Sequence, residues 1–255
     1  MAKPPFIELS QRDRLPILYE DRAVLAIDKP RGWMLVPISW QKTDHNLQAA
    51  IISSIAAGDF WARSRNLKFL KYVHRLDAET SGVLLFAKGP GALETFGDLF
   101  ETRKMEKVYF AVSDQTPKDS QWTCRMPIAP DPDQIGRMIA NEGGKAAETE
   151  FRLITVFRNR YLIEARPYSG RQHQIRVHLA QSGCPIVGDA LYGGRHGKTL
   201  ALRAAGLAYE DPFTRRRVQI RAPLEDFLTL YGFSPGACAV SFHTMAAEIN
   251  SRAQK

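Results

Sequence analysis

The segment Val83-Leu84-Leu85-Phe86-Ala87 places the tightest limit on the fold: five consecutive apolar residues, entered through Ser81-Gly82 and closed by Lys88-Gly89-Pro90. A continuous apolar run of this length between turn residues reads as a buried strand, one that must be covered on both faces. The chain has 255 residues, 44% of them hydrophobic, enough for one substantial core and only marginally enough for two. One domain over residues 1–255 is therefore expected, with disorder at the ends and a tail after about residue 240.

Elsewhere the pattern predicts further elements. Ile17-Leu18-Tyr19 and Ala23-Val24-Leu25-Ala26-Ile27 read as short strands about the turn Glu20-Asp21-Arg22, and Lys29-Pro30-Arg31-Gly32 ends the second. Leu47, Ala50, Ile51 and Ile55 recur at a helical period within residues 46–55, with Gly58 just beyond. Residues 92–101 should form another helix. Val108, Phe110 and Val112 alternate with Tyr109 and Ala111, which predicts a half-buried strand with Tyr109 on the opposite face. Residues 127–144, rich in Pro, Gly, Asp and Asn, read as a long functional or mobile loop. Strands are expected again over residues 147–157 and 161–167. A helix over residues 172–181 would carry Arg176 in its first turns. There is no internal repeat.

Met1 to Phe6 lack the apolar run of a secretory signal, and no stretch approaches the roughly 20 apolar residues that span a bilayer, so a cytoplasmic protein with no membrane partner is expected. Cys124, Cys184 and Cys238 are widely separated and form no Cys-x-x-Cys pair; they read as structural thiols. Lys and Arg outnumber Asp and Glu by 35 to 27, a net charge of +8 that favours a polyanionic partner. Two basic runs carry much of it. One holds Arg63, Arg65, Lys68, Lys71 and Arg75; the other holds Arg195, Lys198, Arg203, Arg215, Arg216, Arg217 and Arg221. Taken alone, either run is as readily a solvated face as an RNA surface.

Between the first run and the buried strand lies an acid, in His74-Arg75-Leu76-Asp77-Ala78-Glu79-Thr80-Ser81-Gly82. On physical grounds alone Asp77 reads as an Arg-paired structural carboxylate or a helix cap. The segment, however, resembles the His-Arg-Leu-Asp-x-x-Thr-Ser-Gly signature of the RluA family of RNA pseudouridine synthases at all seven specified positions. Ile27-Asp28-Lys29-Pro30 with Gly32 is similar to that family's first motif, and Lys107-Val108-Tyr109 to its Lys-x-Tyr strand. The run from Gly170-Arg171-Gln172-His173-Gln174-Ile175-Arg176 to His178-Leu179, then Gly183, Pro185-Ile186-Val187-Gly188-Asp189 and Tyr192-Gly193, resembles its third motif and the sequel. The resemblance spans about residues 15–228. Two departures stand out. Leu200-Ala201-Leu202-Arg203-Ala204 has Arg203 where many members have His, and the small N-terminal RNA-binding domain of many relatives is not expected, because few residues precede the first motif.

The resemblance implies an α+β fold with a mixed, largely antiparallel central sheet, flanking helices and a basic active-site cleft. It implies isomerisation of specific uridines in ribosomal or transfer RNA, by a monomer with no cofactor and no obligate protein partner. The reaction breaks the glycosidic bond, turns the uracil and rejoins it through carbon 5, for which a carboxylate near the sugar or base is apt. That role falls to Asp77, with no atom of attack assigned. Arg176 would pair with it and aim it. Tyr109 would lie against the uracil and take the proton from carbon 5, and Arg75 would fill the place of the extruded base. His74, Lys107, Arg171 and His173 join Arg75 as candidate RNA-binding residues, the histidines being otherwise structural. A metal site is not expected, because no Cys accompanies the histidines and His173 and His178 are five apart, poor spacing for one helical face. Two rivals are a catalytically silent RNA-binding or RNA-folding protein of the same fold and a nucleoside hydrolase; intact Asp77, Tyr109 and Arg176 argue against the first, two basic runs against the second.

Overall fold

The computed structural model describes residues 2–9, 13–35, 45–194, 197 and 199–242. Strands β1 (Phe6–Glu8), β2 (Arg14–Glu20) and β3 (Val24–Lys29) lead to helices α1 (Leu47–Ala57) and α2 (Phe60–Arg63). Then follow β4 (Lys71–Tyr72), β5 (Ser81–Ala87), α3 (Pro90–Glu101) and β6 (Glu106–Ser113). The middle of the chain holds β7 (Gln121–Cys124), β8 (Ile128–Pro130), β9 (Met138–Ala140), β10 (Thr149–Phe157) and β11 (Arg160–Pro167). Helix α4 (Gln174–Gln181), β12 (Leu202–Glu210), β13 (Arg217–Arg221) and α5 (Glu225–Leu230) complete the described elements.

One sheet runs in the order β1-β2-β3-β5-β12-β6-β11-β10-β7, with β4 beside β5 and β13 beside β12; β8 and β9 form a separate ribbon. Every named pairing is antiparallel except that of β5 with β12, which is parallel. The mixed α+β architecture is the expected one. The apolar run Val83–Ala87 lies in β5, buried at every residue between β3 and β12. Gly82 is required where it stands: its φ is +116°, and a Cβ there would overlap the Ala204 backbone, so only glycine lets β5 and β12 approach.

Local chemistry sets several boundaries. The Asn46 side chain accepts a hydrogen bond from the Ala49 amide and Gly58 closes α1 in the left-handed region. Arg158 and Asn159 both have positive φ between paired Phe157 and Arg160, the two-residue turn that matches strand twist.

Three expectations need correction. The strand bearing Tyr109 is not half-buried: β6 lies between β12 and β11, and Val108, Phe110, Ala111 and Val112 are all fully buried, because a central strand is covered on both faces. Residues 127–144 are not simply a loop, since they contain the β8–β9 ribbon, seated through Ile128, Met138 and Ala140 on Val177 of α4. Helix α4 begins at Gln174, because His173 has a left-handed backbone, φ 55°. Val240 is buried and the Phe242 ring packs on Arg221, while residues 243–255, where most of the expected tail falls, lie outside the described residues.

Candidate active site

Asp77 sits on the turn that feeds β5, and the backbone of that turn is fastened from beneath. The Thr80 amide donates to the Asp77 carbonyl at 3.1 Å, and the Gly32 amide donates to the Ala78 carbonyl at 2.9 Å. The Lys29 ammonium, fully buried, donates to the carbonyls of Pro30, Ala78 and Thr80, each at 2.9 Å. Three acceptors consume all three ammonium protons, so the lysine is a staple rather than a free charge. Burial lowers its pKa to about 8 against the opposing pull of Glu79 and Asp77. The Asp77 side chain itself remains 26% exposed, open to a ligand.

Arg176 approaches from α4. Its Nη1 reaches Asp77 Oδ2 at 3.4 Å, but its bidentate partner is Asp189: Nε and Nη2 donate to the two carboxylate oxygens at 2.8 Å each. The Asp189 side chain is 1% exposed, and the Arg176 guanidinium also lies 5.0 Å over the Tyr192 ring. Fork-to-fork pairing fixes the guanidinium plane. The expected pairing of Arg176 with Asp77 is thus present as the longer contact of a shared arginine. Asp77 meets a positive edge without being chelated.

Tyr192 extends the network. Its hydroxyl accepts from the Met138 amide at 2.9 Å and lies 2.7 Å from His173 Nδ1. Which of the two donates follows the imidazole tautomer, and the other ring nitrogen, Nε2, lies 3.8 Å from Asp77 Oδ2. Burial, with Arg176 and Arg75 nearby, lowers the His173 pKa against the opposing carboxylates. The turn before α4 is organised by Gln174, whose amide oxygen accepts from Ser169 Oγ and the Arg171 amide while its nitrogen donates to Glu148 and Thr149.

These elements enclose a cleft of about 380 Å³, and all eight site candidates named from the sequence line it. Tyr109, Ile175 and Leu202 give it apolar wall; Arg75, Arg103 and Arg171 stand exposed at its rim. Burial, and the charge of Asp77, push the Tyr109 phenol up, so it is a neutral O–H at physiological pH. Lys107 donates to the Ser169 carbonyl at 2.8 Å, and burial followed by repulsion from Arg103 takes its pKa to about 8. His74 stacks on Phe100 and its Nε2 accepts from the Leu85 amide at 3.2 Å, while burial lowers its pKa to about 3. His74 therefore works as a neutral bracket between the Asp77 turn and β5.

The two basic runs are only partly surface. Arg65 is almost wholly buried and pairs with Glu20 at 2.8 Å, and Arg203 is buried as well. Arg217 pairs with Glu106, and Arg195 and Lys198 lie outside the described residues. His173 and His178 face different partners: His178 bonds Thr149 and the Met126 carbonyl, and among the described residues no group of three or more His, Cys, Asp or Glu is placed to hold a metal.

A sequence model of the family described as RNA pseudouridylate synthase matches residues 23–181, more than half of the chain. The chain belongs to this family. The ribosomal large subunit pseudouridine synthase C of Vibrio vulnificus (strain CMCP6) is 35% identical over 222 residues, 83% of this chain and 66% of that protein. The protein of the same description from Vibrio cholerae serotype O1 is 31% identical over 240 residues, 88% of this chain and 71% of that one. The chain thus spans about two thirds of the length of these curated relatives. Among solved structures, human RNA Pseudouridylate Synthase Domain Containing 1 superposes with a TM-score of 0.67 at 20% identity, covering 96% of this chain and 97% of that one, a likeness of fold.

Against the pseudouridylate synthase motifs, the network adds two residues to which sequence reasoning gave no role, Asp189 and Tyr192. Both lie beyond the span that the family model matches. The available signal was an acid and an aromatic each flanked by glycine, Gly188-Asp189 and Tyr192-Gly193, directly after the arginine helix. Gly188, with φ +77°, lies so close to the Thr199 carbonyl that no side chain fits, and this close turn presents Asp189 to α4.

Proposed function

We propose that the chain isomerises specific uridines of ribosomal RNA to pseudouridine, with Asp77 as the catalytic carboxylate. The observation that carries the reading is the placement of Asp77: a partly exposed carboxylate in a cleft with basic residues at its rim, on a turn stapled by Lys29, beside an arginine whose plane is fixed by Asp189. In the reaction the bond from N1 to the sugar breaks and one from carbon 5 forms. Carbon 5 loses a proton and N1 gains one, so the composition is unchanged and no external oxidant, reductant or group donor is needed. Asp77 engages the target nucleoside as the first bond breaks. Arg75, exposed above the cleft and 3.4 Å from Gln172, occupies the position left by the extruded base. Arg171 and Arg103 meet the phosphate backbone. Ribosomal RNA is favoured because both Vibrio relatives carry it in their description. The reading includes a single catalytic domain acting as a monomer in the cytoplasm; no helix among the described residues is long and apolar enough to cross a membrane.

The test is release of tritium from carbon 5 of uridine-labelled ribosomal RNA by the purified protein. Release with no free uracil is the expected result. Binding without release would favour a silent RNA-binding protein, and free uracil would indicate a hydrolase.

Tyr109 supplies a separate prediction. A phenol held neutral is not a standing base, so its hydroxyl acts as a relay, accepting the carbon 5 proton as its own O–H proton leaves to meet the proton that N1 gains, while its ring packs on the uracil. Tyr109→Phe keeps the ring; RNA binding should persist, and proton loss in a single turnover should slow by about 10²-fold or more. Pseudouridine formation at the wild-type rate would leave the residue a stacking platform alone.

A further inference from the structure

Asp77 and Lys29 belong to the half of the sheet built from β1, β2, β3, β4 and β5, while Tyr109, Leu202 and the α4 residues belong to the half that begins at β12. Within the sheet the halves meet along β5 and β12, where the ladder has two registered pairs, Arg203 with Ser81 and Ala204 with Gly82. One of those pairs involves a glycine. Apolar clusters cover both faces of the seam, but apolar packing is non-directional and does not define register to a fraction of an ångström.

Arg203 sits on this seam, 8% exposed. Its Nη2 donates to Asp28 Oδ2 at 2.7 Å, its Nη1 to Ser81 Oγ at 3.2 Å and its Nε to the Pro223 carbonyl at 2.8 Å. Asp28 adjoins Lys29, which holds the Asp77 turn; Ser81 adjoins Thr80, whose carbonyl that lysine binds. On β12, Arg203 lies between Leu202, which lines the cleft, and Ala204, which is paired with Tyr109. A planar guanidinium bonded in three directions fixes distances that a short parallel ladder does not.

We propose that Arg203 is a positioning residue that sets the separation of the two halves of the active site, holding Asp77 at its working distance from Tyr109 and Arg176. It touches no reacting atom. The proposal rests on the catalytic reading of those three residues.

The experiment compares Arg203→Met, Arg203→Lys and wild type by single-turnover rate, RNA dissociation constant and amide hydrogen exchange, below each variant's melting temperature. Misplacement by about an ångström costs roughly 10²-fold in rate, so Arg203→Met should slow turnover by at least about tenfold with affinity changed less than about twofold. Arg203→Lys should fall between. Exchange should quicken at residues 81–83 and 203–206 and stay unchanged in the β10–β11 hairpin. A folded Arg203→Met that turns over at the wild-type rate overturns the proposal. Unchanged exchange at the seam overturns it too, whatever the activity. Should Arg203→Met not fold, Ser81→Ala, which removes a single bond of the three, must give the local rise in exchange, and its absence is equally decisive. A wild-type protein that releases no tritium sinks the catalytic reading instead, and seam exchange still decides the role of Arg203.

Discussion

Asp77→Asn is expected to abolish isomerisation while leaving RNA affinity nearly intact. The substitution keeps the size of the side chain and removes the charge that engages the nucleoside, so the rate should fall by at least ~10⁴-fold, the scale of losing a reacting group. Little else depends on this carboxylate. Its contact with Arg176 is the long one at 3.4 Å, and the turn that carries it is held through backbone carbonyls by Lys29. The melting temperature of Asp77→Asn should therefore match that of the wild type. Single-turnover kinetics with labelled RNA, with filter binding and thermal denaturation alongside, measures these quantities; appreciable pseudouridine from the variant would take the catalytic role away from Asp77.

Arg176→Ala should damage both activity and folding, for different reasons. Removing a preorganised positive group beside the reacting carboxylate should cost about 10²–10³-fold in rate. The same change strands Asp189, whose side chain is 1% exposed and takes two bonds from the arginine. Breaking a buried pair from one side costs about 3–5 kcal/mol, because the remaining charge is left without a partner. The two effects separate in the double variant Arg176→Leu with Asp189→Asn, which removes the stranded charge. Its melting temperature should recover most of the loss and its turnover should not. Thermal denaturation and single-turnover assays decide the matter: a stable double variant with near-wild-type turnover would show that Arg176 serves only the fold.

How much of this was legible in the sequence follows from what each residue depends on. The acid turn, β5 and the arginine helix were readable because their signals are local: a buried apolar run, breakers on either side and a helical period. Strand β12 was not, since Ala204, Ala205 and Ala208 are weak strand formers and the strand exists because it is covered on both faces. The β8–β9 ribbon hid for a related reason; its turn-rich composition reads as loop until Ile128 and Met138 find Val177. Asp189 and Tyr192 stood in the motif without a role, because their partners lie on α4 and at the residue just before it and are reached only through the close turn at Gly188. Composition was misleading for Arg65 and Arg203, where the basic runs suggested RNA and the fold uses the charges internally, on Glu20 and Asp28. The eight candidates came together because the family motifs already encode their convergence.

The most direct test of the central claim is a map of pseudouridines in ribosomal RNA from three cell lines: a deletion strain, the same strain complemented with the wild-type chain, and the same strain complemented with Asp77→Asn. The account predicts one or a few uridines converted in the wild-type complement and absent from both others. Identical maps in all three, with both proteins expressed and folded, would contradict it.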